Sequence, residues 1–361
     1  MSQTTGTWAF QLQQSCQIEE LLADPRSRGV LIAASKIPDA KLTYIITTPS
    51  TYEIEGRRTR LAVKIPTTDG AGAAVEREGR LLVALRRMTL GDLADTIPRY
   101  VTTLRVDQRP VLVATAMPGA PMSIGYHQWM HTARPNAVRT DFTLAADWLA
   151  QFQARTAGSS RTDVWWPDVV EGVRGRWDGH DRLGAALDLL APAASRLARR
   201  PVPSTAVHGD LWCGNLLVDG RRIAGVVDWE DGAAVGNPLR DVARFALSYC
   251  LYLDRHTRHG HVVAGHPGLR RTGLAPGLRY GLLGRGWLPD LTRSFLADGL
   301  ERLGLPRGMW YDAALAGIGE VAAFANDDDF AALHLELLAS LPAHPQRHKT
   351  QLSPSQGPAQ R

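Results

Sequence analysis

Three polar side chains between residues 206 and 228 are spaced in a way that suits the handling of a phosphoryl group. His208-Gly209-Asp210 is entered through a short apolar lead, Ala206-Val207, and Asn215 stands five residues after Asp210. Leu216-Leu-Val218 reads as a strand, Asp219-Gly220 is a favoured dipeptide for a tight hairpin turn, and Ile223 to Val227 reads as the returning strand leading into Asp228. Asn215 and Asp228 therefore fall at the outer ends of one hairpin, near each other, with Asp210 just upstream. A carboxylate to orient a hydroxyl, with an amide and a second carboxylate to hold magnesium, is what phosphoryl transfer to an alcohol needs. The plainer reading is a hairpin with solvated polar ends, and the complete set at these spacings outweighs it.

The elements that must position this hairpin lie upstream. Val30-Leu-Ile-Ala-Ala34 and Lys41-Leu-Thr-Tyr-Ile-Ile-Thr47 read as two strands of a hairpin, with a turn at Pro38-Asp39. A further turn falls at Gly56-Arg-Arg58, and a third strand at Arg60-Leu-Ala-Val-Lys-Ile65. A lysine in a strand, such as Lys64, is ordinarily solvated. The next segment changes that expectation, because Val75, Leu82 and Leu85 share one helical face with Glu78 in the middle of the stripe. A carboxylate on a buried face needs a cationic partner, since an unpaired buried charge is costly, and Lys64 is the natural candidate.

These residues resemble the aminoglycoside phosphotransferase and choline kinase-like family, small-molecule kinases of the protein-kinase-like fold. The resemblance rests on His208-Gly209-Asp210, Asn215 and Val227-Asp228-Trp229. It implies an α+β, bilobal protein-kinase-like architecture: a small antiparallel N-terminal lobe with one helix, and a larger, mainly helical C-terminal lobe. On this likeness residues 1–117 form the nucleotide-binding lobe and end in the hinge, residues 118–340 form the catalytic and substrate lobe, and 341–361 form a disordered tail. It also implies ATP and Mg2+. Lys64 would touch the α- and β-phosphates, paired with Glu78, and backbone groups from Thr115 to Met117 would hold adenine. Asp210 would orient the acceptor hydroxyl, while Asn215 and Asp228 hold magnesium. His208 would anchor the catalytic loop, and Asp241 would brace it. One departure stands out: the hairpin Ala34-Ser-Lys-Ile-Pro-Asp-Ala40 contains no glycine, so no residues can be named for a phosphate-cradling loop.

The rest of the chain bounds the reading. With 361 residues and 44% hydrophobic content it can bury a sizeable core. No apolar run is long enough for a membrane span, no secretory signal is visible, and three cysteines make no disulfide framework, which together point to a cytoplasmic setting. The net charge of +5 is spread among interleaved arginines and acids and forms no stripe, so no nucleic-acid partner is expected. The expected partner is a small-molecule hydroxyl acceptor: an antibiotic, a sugar or an amino alcohol. The alternative is a kinase-fold binding protein that has lost transfer activity. Other expectations are a helix over 7–23, a buried stripe of Ala145, Trp148, Leu149 and Phe152, and a helix from 183 to 197 that Pro192 kinks or restarts. A helix capped by Asn237-Pro238 should follow the catalytic hairpin. The His-rich segment 254–268 and Asp327-Asp-Asp329 read as loops.

Overall fold

The computed structural model describes residues 28–34, 41–47, 52–54, 57–158, 160–161 and 165–345. The helix expected over 7–23, the glycine-free turn expected at 35–40 and most of the expected tail lie outside the described residues. In chain order, β1 (Arg28–Ala34) and β2 (Lys41–Thr47) pair antiparallel. A two-stranded hairpin, β3 (Tyr52–Ile54) and β4 (Arg57–Thr59), follows where the sequence announces only a turn. Then come β5 (Leu61–Pro66), α1 (Asp69–Arg86), β6 (Tyr100–Val106) and β7 (Arg109–Thr115). The five-stranded sheet has the order β1-β2-β5-β7-β6, with every neighbouring pair antiparallel. The sequence does not announce β6. Its turn into β7 uses Asp107 and Gln108, both at positive φ (48° and 65°), and lacks the glycine that commonly signals such turns.

Strand alternation decides what this sheet does. Leu61 and Val63 face one side, where they form a small core with Val101, Leu104, Val111 and Val113. The residues that alternate with them, Ala62 and Lys64, face the other side with α1. There Leu112 and Ala114 join Val75, Leu82 and Leu85 of the helix in the main core. The helix begins where Thr68 Oγ1 accepts a hydrogen bond from the Ala71 N–H (3.2 Å), with Asp69 in its first turn and Arg86 in its last. Glu78 thus stands on the buried stripe, opposite Lys64.

After the segment 116–119, β8 (Ala120–Pro121) and α2 (Met122–Tyr126) lead into a mainly helical half. Its first long helix is α3 (Pro135–Thr156), followed by β9 (Ser160–Arg161), α4 (Trp165–Arg176) and α5 (Leu183–Ala198). α5 runs through Pro192 as one helix and is not restarted there. The missing N–H removes one hydrogen bond, and burial of Ala186, Leu190, Ala193 and Leu197 across the proline holds the helix together. β10 (Val202–Pro203) pairs β9, and β11 (Thr205–Val207) enters the hairpin of β12 (Leu216–Asp219) and β13 (Arg222–Val226). β14 (Ala233–Gly236) pairs β11, and β8 extends the hairpin by pairing β12.

α6 (Leu239–Leu251) starts as expected, with Asn237 Oδ1 accepting from the Leu239 N–H at 2.9 Å. The His-rich segment is not a plain loop. It forms a small hairpin, β15 (Val262–Val263) and β16 (His266–Arg270), pinned by burial of His266 between Tyr280 and Trp287. The chain continues through α7 (Pro276–Leu283), α8 (Trp287–Arg302), α9 (Trp310–Phe324) and α10 (Asp328–Ser340). Asp327 to Asp329 also differ from the loop expectation. Asp327 caps α10 by accepting from the Phe330 N–H (2.8 Å), and the two acids after it occupy the first turn, where the helix dipole favours negative charge. At the centre Phe142 of α3 meets Phe245 and Tyr249 of α6 and Phe295 of α8 at ring separations of 5.3, 4.9 and 5.3 Å. Among the described residues no helix is long and apolar enough to cross a membrane.

Candidate active site

β5, α1 and the segment after β13 converge on one cluster of charges. Lys64 Nζ lies 2.6 and 2.5 Å from the two carboxylate oxygens of Glu78 and 2.9 Å from Asp228 Oδ1. Glu78 is 2% exposed, and its Oε1 also accepts from the Trp229 N–H at 3.3 Å, which ties the helix to the residue after Asp228. Burial works against the charge on Lys64, but Asp228 and Glu78 outweigh it and hold the ammonium above its usual range. Burial also opposes the charge on Asp228, and Lys64 and Lys41 hold that carboxyl far below the usual range. Asp228 sits at φ +72°, a conformation that non-glycine residues adopt at some cost and that turns its carboxylate into this cluster.

The His208–Asp210 loop is braced from α6. Asp241 accepts from the backbone N–H groups of His208 (2.7 Å) and Gly209 (2.8 Å), one on each carboxylate oxygen. Burial pushes the Asp241 carboxyl up, against the pull of His208 and those amides. His208 is fully buried, hydrogen-bonds the Val227 carbonyl through Nε2 (2.9 Å) and packs on the Trp229 ring. With Nε2 donating to that carbonyl, Nδ1 can accept from the Asp210 N–H at 3.3 Å, which makes His208 an anchor with both nitrogens engaged. Gly209 has φ +83°, and a Cβ there would fall 2.0 Å from the Asp231 carbonyl oxygen, so only glycine lets the loop pass.

Asp210 leaves this loop with both oxygens engaged. Its Oδ1 accepts from Arg244 of α6, at 2.7 Å from Nε and 2.6 Å from Nη2, and its Oδ2 lies 3.4 Å from Asn215 Nδ2. Asn215 Nδ2 also donates to the Asp210 carbonyl (2.9 Å), leaving Oδ1 as the atom it can offer a cation. The Val227 N–H donates to the Asn215 carbonyl at 3.0 Å, so Asn215 and Asp228 lie close at the ends of the β12–β13 hairpin. The turn there has Gly220 alone at positive φ (+61°), with Asp219 opposite Arg222.

A cleft of about 640 Å3 gathers these groups, lined among others by Lys41, Lys64, Glu78, Thr115, Met117, Asn215 and Asp228. Thr115 and Met117 stand at one edge of it. The Thr115 N–H donates to Arg99, its hydroxyl accepts from the Arg99 N–H, and the Ala116 N–H donates to Arg60. These bonds fix the backbone there from both sides. Met117 packs on the hairpin at Gly225, where a Cβ would come within 2.6 Å of the Met117 Cβ. A second hollow of about 560 Å3 shares Thr115, Ala116 and Met117 but none of the carboxylates above.

Every site residue singled out in the sequence therefore falls within one region: Lys64, Glu78, Thr115, Met117, Asn215 and Asp228 line the cleft, and His208 and Asp210 form the loop beside it, with Asp241 of α6 behind that loop. Three more belong to it that the sequence does not single out. Lys41, at the start of β2, donates to Asp228 Oδ1 (2.6 Å) and to Glu230. Glu230 is pushed up to about 7 by burial and by Asp228 beside it. Arg244 is the third. The Asp-Trp-Glu spacing after β13 and the Asp241–Arg244 spacing of one helical turn are available signals, whereas nothing in sequence joins Lys41 to residues nearly two hundred positions away. Asn215, Asp228 and Glu230 offer hard oxygen donors, and the carboxylate oxygens of Glu78, Asp228 and Glu230 lie within 4.8 Å of one another, a donor set that suits magnesium.

Residues 47–274, well over half of the chain, match the phosphotransferase enzyme family. The chain belongs to this family and is a small-molecule kinase by class. Against curated proteins the sequence finds no match. The fold is similar to that of solved phosphotransferases. Aminoglycoside phosphotransferase APH(4)-Ia is 14% identical with a TM-score of 0.53, covering 92% of this chain and 98% of that one. A thermostable mutant of that enzyme, in a ternary complex with ADP and hygromycin B, gives 0.53 at 13% identity, covering 90% and 97%. A macrolide 2'-phosphotransferase type I gives 0.50 at 19% identity, covering 91% and 97%. The expected α+β, protein-kinase-like architecture is the one observed.

Proposed function

We propose that this protein moves the γ-phosphate of ATP, with Mg2+, to a hydroxyl of a small molecule. The observation that carries this reading is the meeting of Lys64, Glu78 and Asp228 in the cleft beside a loop that holds Asp210. Residues 1–117 serve as the nucleotide lobe and 118–340 as the catalytic and acceptor lobe, with backbone groups of Thr115 and Met117 holding adenine between them. Lys64, fixed by Glu78, neutralises the α- and β-phosphates. Asn215 and Asp228 would hold magnesium, which when bound supplies neutralisation of charge on the β- and γ-phosphates. Asp210 orients the acceptor hydroxyl and accepts its proton as the oxygen bonds to the γ-phosphorus and the bond from that phosphorus to the β–γ bridging oxygen breaks, releasing ADP. His208 and Asp241 keep that carboxylate in place, so catalysis rests mainly on positioning and electrostatics. The acceptor belongs to hydroxyl-bearing small molecules. Hygromycin B, bound by a structural relative, marks antibiotics as the first class to try.

The test is transfer from γ-labelled ATP, with magnesium, to a panel of aminoglycosides, macrolides, sugars, choline and ethanolamine, alongside Asp210→Ala. Transfer to one acceptor in the wild type, lost in the variant while nucleotide still binds, is the expected result. Transfer at the wild-type rate in the variant removes Asp210 from its role. Nucleotide binding without transfer to any compound on a widened metabolite panel favours the inactive binding protein.

A further inference from the structure

Asp210 presents its two carboxylate oxygens to different neighbours, and Arg244 makes the difference. Two donors of the Arg244 guanidinium, Nε at 2.7 Å and Nη2 at 2.6 Å, fall on the same oxygen, Oδ1. Oδ2 meets Asn215 Nδ2 at 3.4 Å, a long contact, and that amide makes its shorter bond, 2.9 Å, to the Asp210 carbonyl. We infer that Arg244 is a positioning residue: it commits Oδ1 to α6 and leaves Oδ2 as the oxygen that takes the proton of the acceptor hydroxyl. The inference rests on the kinase reading above and deepens it by naming the reacting oxygen and the residue that selects it.

An oxygen that already accepts two charge-assisted hydrogen bonds has its lone pairs engaged, and protonating it would cost those bonds. Protonating Oδ2 leaves them intact. Oδ2 also lies on the right side. Asn215 lines the cleft with Lys64 and Asp228, so the oxygen turned toward Asn215 is the one turned toward the nucleotide end of the site. In the step this defines, the acceptor hydroxyl gives its proton to Oδ2 as its oxygen bonds to the γ-phosphorus. The bond from that phosphorus to the β–γ bridging oxygen breaks, and ADP leaves. Arg244 is itself fixed. It stands on α6 one turn after Asp241, so one helix holds the loop backbone through Asp241 and the carboxylate through Arg244. Its guanidinium carbon lies 5.8 Å from the centre of the Phe330 ring, in the first turn of α10. Glu320 of α9, whose charge also acts on Arg244, accepts its hydrogen bond from Arg240. Without Arg244 the Asp210 carboxylate turns about its terminal torsion, which is broad for such groups, and no single oxygen is held toward the hydroxyl.

Transfer from γ-labelled ATP to the acceptor panel above tests this, with calorimetric titration of a non-hydrolysable ATP analogue on the same full-length variants. Arg244→Ala is expected to lower kcat about 30-fold, with the KM for ATP and the analogue affinity within about 3-fold of wild type. Arg244→Lys keeps the charge but loses the two-donor fork, and should fall between wild type and Ala in kcat with analogue affinity kept. Methylguanidinium at millimolar concentration should raise the kcat of Arg244→Ala by about 5-fold or more and leave wild type unchanged, a response that a merely structural loss would not give. Analogue binding shows that each variant has a folded cleft, and the Lys variant carries the test if the Ala variant folds poorly. An unchanged or raised kcat, or a fall in analogue affinity matching the fall in kcat, would overturn the proposal, as would a folded Ala variant that methylguanidinium does not rescue. Failure of the wild type to bind nucleotide, or to transfer phosphate to any acceptor, would overturn the kinase reading beneath it, and is told apart because it needs no variant.

Discussion

Glu78 has two buried contacts that depend on it: the Lys64 ammonium and the Trp229 N–H. Removing one partner of a buried pair leaves the other uncompensated, at a cost of about 3 kcal/mol or more. Glu78→Gln keeps an acceptor for Trp229 but takes away one of the two carboxylate charges that hold Lys64 in place. We expect it to lower stability to urea by about 2–3 kcal/mol and to raise the KM for ATP roughly tenfold, with a smaller change in kcat, since Asp210 and its bracing are untouched. A kcat loss as large as that of an Asp210 variant would show that Glu78 acts on the reacting oxygen instead. The pairing of Lys64 with Glu78 is legible in sequence because a single acid interrupts an apolar helical stripe. Arg244 is only hinted at, by its spacing of one helical turn from Asp241, because its meeting with Asp210 is defined only once α6 is packed beneath the His208–Asp210 loop.

At the scale of elements, two glycines with positive φ separate backbone strain from close packing. Gly220 turns the β12–β13 hairpin with open space for 4 Å around the position a Cβ would take, while a Cβ on Gly209 would lie 2.0 Å from the Asp231 carbonyl oxygen. Gly220→Ala should therefore cost about 1–2 kcal/mol, the backbone strain alone. Gly209→Ala adds a collision with main chain and should cost at least about 3 kcal/mol, displacing the two amides that Asp241 holds. Urea melts of the two variants check this, and equal costs would mean that the loop around Gly209 yields freely. The hairpin is foreseeable from Asp219-Gly220. The β3–β4 pairing and β6 are not: β3 and β4 are three residues each, too short to carry an alternation, and β6 turns into β7 through Asp107-Gln108 without a glycine, so pairing with a neighbour decides them.

The whole molecule carries a pH dependence from one buried histidine. His334 of α10 is 3% exposed, and burial lowers its pKa from 6.5 to about 4, only partly offset by its hydrogen bond to the Phe330 carbonyl. Between those values the unfolded chain takes up a proton that the folded chain refuses. Stability is thus complete above about pH 6.5 and falls as the pH drops toward 4, by at most about 3 kcal/mol from this group. Thermal melts from pH 7.5 to 4 should show His334→Leu losing less than the wild type over that window, and parallel curves would remove His334 from the account. The packing behind it is tight: α9 approaches α6 so closely that a Cβ on Gly317 would lie 2.8 Å from the Ala243 Cβ.

By itself the sequence determined the local devices: the His-Gly-Asp loop, the Asn215–Asp228 hairpin, the Lys64 strand, the Glu78 stripe and the Asn237 cap. Each depends on short-range spacing, turn chemistry or periodicity, which a linear reading preserves. Only the tertiary structure decided that Lys41 and Glu230 join Asp228, that Arg244 holds Asp210, that α5 runs unbroken through Pro192, and that His266 is pinned in a hairpin core. Those outcomes depend on which surfaces bury one another, and on whether a distant partner offsets the cost of a buried charge or a missing hydrogen bond.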